Sequence, residues 1–209
     1  MRTLPIRSAF VLCLAAAALS AHAQISQVPL FAGALNEGFE TFTTTSTFAN
    51  QPNPFAIFGG AGSLASTNAA IDRTGNFSLG YKGVGQATGG DYFYGNNSAT
   101  APATITFANA VGQFGGYFNV AGGGPSNNLS FSFFDAANVQ VGSTQVVAMP
   151  TTNVDAFVGF SSTVPIKSVT LSGYYFVADD LRANPVPEPA TIAALGLGAV
   201  ALLRRRRKA

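Results

Sequence analysis

Carboxylates and tyrosines are the side chains of this sequence that could do chemistry. Glu37 and Glu40 stand near the start of the body, and Asp179 and Asp180 near its end. Carboxylates are hard oxygen donors, so Glu40 and Asp180, joined by Glu37 and Asp179, suit a structural calcium ion if the first and last strands are neighbours. Their spacing lacks the fixed oxygen pattern of a dedicated calcium loop, and a solvated strand end is the ordinary place for such acids. Two acids are also the minimal equipment for glycoside hydrolysis. The acids of the body nominate no particular pair, so no catalytic residue is assigned. Tyr81, Tyr92 and Tyr94, with Phe93 and beside Gly89, Gly90 and Asp91, form an aromatic cluster suited to stacking on a sugar ring. The sequence has no tryptophan, the large rigid ring favoured at such sites.

The single cysteine and single histidine, Cys13 and His22, both precede the body. Without them the body has no Cys/His zinc site, no Ser-His-Asp or Cys-His catalysis and no disulfide. Residues 1–23 read as a secretory signal peptide: Arg2 and Arg7 precede a short apolar run, and Ala21-His22-Ala23 is a small-x-small cleavage pattern with Gln24 as the first mature residue. Cys13 lies inside that apolar run, which argues against lipidation.

The chain closes on a second address, residues 186–209. Val186-Pro187-Glu188-Pro189 is biased toward extended geometry, because each proline fixes its own φ and disfavours the helical region for the residue before it. Residues 190–203 carry no charge; as a helix they span about 21 Å against a hydrocarbon core of roughly 30 Å, short for a permanent anchor. Arg204, Arg205, Arg206, Arg207 and Lys208 follow as a stop-transfer cluster that the positive-inside tendency holds in the cytoplasm. A VPEP element, a short apolar segment with Gly196 and Gly198 and a terminal arginine cluster together resemble the bacterial PEP-CTERM sorting signal, also called the ice-binding protein C-terminal domain. The resemblance implies export, a transient transmembrane helix in the inner membrane, and processing by an exosortase, a membrane protease that recognises Glu188 and its flanking prolines. Release to the cell surface or matrix would follow.

Once both addresses are removed, residues 24–185 hold Arg73, Lys82, Lys167 and Arg182 against Glu37, Glu40, Asp72, Asp91, Asp135, Asp155, Asp179 and Asp180, a formal charge of about −4. No basic patch remains for nucleic acid. Gly, Thr, Ser, Asn, Phe and Val dominate, and apolar residues recur with period two between Gly/Asn/Pro clusters, which predicts an all-β domain. Strands are expected at 37–47, 77–81, 104–108, 114–120, 129–134, 139–147, 156–160, 166–172 and 174–181, a number that suits a two-sheet β-sandwich with a phenylalanine core.

Three groups of residues resemble the galactose-binding-like jelly-roll modules: the opening Glu37-Gly38-Phe39-Glu40, the central Phe114-Gly115-Gly116-Tyr117-Phe118 and Leu129 to Asp135, and the closing Phe176 to Leu181. That resemblance implies an acid on the first strand and one on the last around a calcium, and aromatic rings offered to sugar. The expected protein is therefore exported and non-enzymatic, structural or adhesive in a cell envelope, exopolysaccharide or biofilm matrix. The alternative is a carbohydrate-binding module.

Overall fold

The computed structural model describes residues 24–42, 49–73, 88–121, 124–150 and 155–186. The signal peptide, the expected strand at 77–81, Tyr81, and the sorting segment from Pro187 through Lys208 lie outside the described residues. The strands are β1 (Ile25–Val28), β2 (Leu35–Glu37), β3 (Ala49–Asn50), β4 (Phe55–Ile57), β5 (Gly62–Ala65), β6 (Ala69–Arg73), β7 (Tyr92–Asn96), β8 (Ala103–Val120), β9 (Asn128–Phe134), β10 (Gln145–Ala148), β11 (Ala156–Gly173) and β12 (Phe176–Pro185). A 3₁₀ turn at Phe58–Gly60 follows β4, and no α-helix occurs among the described residues.

The pairing runs β10-β9-β11-β8-β12-β7-β6-β3, with β1 beside β11, β2 beside β12, and β5 between β8 and β4. Two long strands make this branched sheet into two layers. The first half of β8 lies between β5 and the second half of β11, which also pairs with β9. Beyond register shifts between Ser161 and Ser168, the second half of β8 lies between the first half of β11 and β12. The sheet curls where β8 and β11 cross over, and the halves face each other. Phe131 of β9 meets Phe160 of β11 at 5.0 Å between ring centroids and Phe118 of β8 at 5.2 Å.

The expected all-β, two-layer fold is therefore present, and period-two alternation explains its core. In β9, Leu129, Phe131 and Phe133 are buried while their neighbours are not. In β8, Phe114 and Phe118 point inward, and Tyr117 points to the opposite face. Each buried phenylalanine contributes roughly 1.5–3 kcal/mol relative to exposure.

The boundaries differ at several places: the strand expected at 139–147 shrinks to β10, with Gln140 only an isolated bridge to Phe134, and β1, β3, β4, β5, β6 and β7 fall where none was expected. No strand runs on through Phe39 and Glu40: β2 ends at Glu37, and Phe39 turns the chain with φ 58°. The pairs expected at 104–108 with 114–120, and at 156–160 with 166–172, are single strands, because each half finds a partner in a different layer.

Candidate functional site

The pairing of β2 with β12, Glu37 opposite Leu181, makes the strands that carry the opening and closing acids neighbours, the condition on which a shared site depends. Asp180 sits at φ 45° on a register shift between Asp179 and Arg182, so two successive acids both serve the same neighbourhood. Across them lies the segment from Thr88 to Tyr92. Thr88 N–H donates to Asp179 Oδ2 at 2.5 Å and Gly89 N–H to the same oxygen at 3.3 Å. Asp91 and Tyr92 N–H both donate to Glu40 Oε1 at 2.8 Å. The Thr88 hydroxyl reaches Asp155 Oδ2 at 3.0 Å. This segment requires glycine at position 90 and leaves little room at position 89. A Cβ on Gly89 would stand 2.7 Å from Asp180 Oδ2, and one on Gly90, at φ 140°, would collide with the Glu40 carboxylate.

Glu37 turns away from that group. Buried, it accepts Phe39 N–H at 2.9 Å on one oxygen and Phe58 N–H at 2.6 Å on the other. Both donors belong to residues with positive φ, so the carboxylate pins two strained turns. The four acids nominated for calcium thus divide: Glu40, Asp179 and Asp180 around the Thr88–Tyr92 segment, Glu37 beneath the 3₁₀ turn. Glu37 accepts one backbone N–H on each oxygen, and Asp179 accepts two on Oδ2 and one on Oδ1. Among the described residues no three acids gather as metal ligands.

Burial raises Asp179 to about 7, with the neighbouring Asp180 adding to the rise, against the N–H groups of Thr88, Asp180 and Gly89. Asp72 on β6, wholly buried, is raised by burial to about 7; its Oδ1 accepts Arg73 N–H at 2.8 Å and its Oδ2 has no partner. Burial also raises Asp155, against hydrogen bonds from Thr88 and Asn119. Asp72 and Asp179 share the outer face of the second layer with the small apolar cluster of Phe93, Ala121 and Val177.

Of the expected aromatic cluster, Tyr81 lies outside the described residues, Tyr92 is partly exposed and Tyr94 faces the core. Tyr94 is 1% exposed, its ring among Phe39, Phe55 and Phe176 at 6.1–6.4 Å and its hydroxyl 3.4 Å from Asn96 Oδ1. The alternation of β7 turns it into the core, and burial pushes its phenol well above the ordinary range. Tyr92 is half-buried against the same core. A second set of rings is partly exposed like Tyr92. Tyr117 and Phe157, opposite each other on β8 and β11, meet edge to face at 5.4 Å, and Phe31 meets Phe157 at 5.9 Å. With Gln27, Val28, Pro29 and Leu30 the first two line a shallow cavity of about 560 Å³. Phe157 leans over Gly115 and Gly159, where any Cβ would come within 3.0 Å of the ring. The alternation Phe114-Gly115-Gly116-Tyr117-Phe118 already carried the signal, since inward phenylalanines oblige Tyr117 to face out.

Residues 185–208 match the PEP-CTERM protein-sorting motif, so the expected sorting signal is present. No match is found among the curated proteins. Among solved structures, the K2 cleaved adhesin domain of Lys-gingipain superposes with a TM-score of 0.47 and 12% identity, over 73% of this chain and 98% of that one. A family 6 carbohydrate-binding module from Clostridium stercorarium in complex with cellobiose gives 0.36 and 14%, over 59% and 87%. A further family 6 carbohydrate-binding module gives 0.35 and 12% over the same shares. The motif implies a surface protein targeted to an exosortase, through a membrane-held processing intermediate.

Proposed function

We propose that this chain is exported by its signal peptide, held briefly in the inner membrane by residues 190–203, cut within Val186-Pro187-Glu188-Pro189 and delivered to the cell surface or an exopolysaccharide-rich, biofilm-associated matrix. There its β-sandwich does structural or adhesive work without catalysis. The observation that carries this reading is the sorting motif following directly on the last strand: β12 ends at Pro185 and the VPEP element starts at Val186. The use of Glu37, Glu40 and Asp179 as acceptors for backbone N–H groups supports a structural rather than a reacting role for these acids. Fractionation of the native host tests the reading: wild-type protein leaves the inner membrane and a Glu188→Ala variant stays in it. Equal retention of both would overturn it.

A second reading, binding of extracellular polysaccharide, is favoured by the Tyr117–Phe157 pair facing outward over the cavity. Aromatic faces offer sugar C–H groups an apolar surface, and the Tyr117 hydroxyl and Gln27 amide offer hydrogen bonds.

A further inference from the structure

The two ends of the exported body leave the fold at one place. Gln24 exchanges hydrogen bonds with Thr163: its N–H donates to Thr163 Oγ1 at 3.2 Å, and its carbonyl accepts Thr163 N–H at 3.3 Å. At the other terminus Pro185 pairs with Val111, and Val186 N–H donates to Ala110 O at 3.0 Å. Val111 is in turn opposite Ile166 of β11. Gln24, Thr163, Ile166, Val111 and Pro185 therefore lie along one edge, where β8 and β11 cross between layers. The last strand is fixed up to that edge. Asn184 donates to Gln113 Oε1 at 2.8 Å and to Ala32 O at 3.1 Å, and accepts Ala34 N–H at 2.8 Å.

From Val186 to the first residue of the apolar segment is four Cα steps, at most about 14 Å of extended chain. The interfacial region beyond the hydrocarbon is roughly 5–8 Å deep on each side, so the edge stands within about a Debye length of the headgroups. At that range charge decides whether the two surfaces tolerate each other. Residues 24–28, 108–113, 161–167 and 183–186 contain one charged side chain, Lys167, whose Nζ donates to Ala108 O at 2.6 Å, and signal removal adds the α-ammonium group of Gln24. Every acid of the body lies outside these segments. In the β9–β11 register Ser168 is opposite Phe134, so Asp135 falls beside Lys167 and offsets it, and a domain with about twice as many acids as bases presents a nearly neutral edge where its membrane tail emerges.

We propose that this edge is a bilayer-facing surface: the anchored intermediate stands over the headgroups by residues 108–110 of β8 and 163–167 of β11, with the opposite end, where Asn128 and Tyr174 lie, directed outward. The proposal rests on the sorting reading, since it needs residues 190–203 in the membrane. The body has no cysteine, so Asn109→Cys and Asn128→Cys each carry one fluorescent label on the full chain after signal removal, in phosphatidylglycerol vesicles with a nitroxide on the lipid headgroup. Quenching several-fold stronger at position 109 than at 128 is expected; both sites are exposed, Asn109 within β8 and Asn128 at the start of β9. Ala108→Cys serves as a second reporter should Asn109→Cys fold poorly. Equal or reversed quenching in chain that floats with the vesicles would overturn the orientation and leave the anchor intact. Failure to float would overturn the anchor, and the orientation with it.

Discussion

Phe58 N–H donates to Glu37 Oε2 at 2.6 Å, joining positions 21 apart in the chain inside the protein. The same carboxylate takes Phe39 N–H, so one side chain satisfies two donors that no strand pairing serves. Glu37→Ala leaves both without an acceptor and is expected to cost about 3 kcal/mol in denaturant unfolding, with Glu37→Gln milder. A loss below about 1 kcal/mol would mean that the two turns hold themselves.

Asp72 gives stability a pH dependence of defined sign. Its folded value, about 7, lies above the ordinary 3.8, so the folded chain holds a proton that the unfolded chain has released. Its contribution is most favourable at low pH, falls as pH rises from about 4 to 7, and is flat beyond. Asp179, raised to about 7, and Asp155 act in the same direction. The melting temperature is expected to be higher near pH ~5 than near pH ~8, with the difference reduced in Asp72→Asn. A rise in stability with pH across this window would refute the assignment.

Gly90→Ala sets a methyl group against the Glu40 carboxylate at a φ of 140°. The expected cost is roughly 1–3 kcal/mol, accompanied by earlier proteolysis near Thr88–Tyr92, because Glu40 must release the N–H groups of Asp91 and Tyr92.

A chelator is expected to leave the melting temperature unchanged, since no three acids gather as metal ligands among the described residues. A drop reversed by calcium would place an ion at Glu40 and Asp180 after all.

If the domain recognises polysaccharide, Phe157→Ala is expected to abolish retention on a glycan array while Tyr92→Ala leaves it intact. Retention by both variants would move the site elsewhere, and no retention of the wild type would remove the second reading.

The strand type and the phenylalanine core are legible in the sequence, because alternation reports which face is buried; the meeting of Glu37-Gly38-Phe39-Glu40 with Asp179-Asp180 depends on the pairing of β2 with β12, which alternation does not report. The continuity of β8 and β11 is not. Gly112, Pro165 and the polar residues near them look like turns, and only pairing with different partners in each layer reveals unbroken strands. Tyr94 shows the limit for sites. A tyrosine beside glycines reads equally as an exposed platform or as a core ring, and the parity of β7 decides it. Phe93 goes to the outer face and Tyr94 to the core. The sorting tail is legible throughout, since its three parts meet physical demands in linear order and need no tertiary contact.

The most direct test of the account is the intact mass of the protein released by its native host. A species beginning at Gln24 and ending between Val186 and Pro189 is the predicted result, with β12 complete and the apolar segment and arginines removed. A surface species that retains Arg204–Lys208 would contradict it and make the tail a permanent anchor.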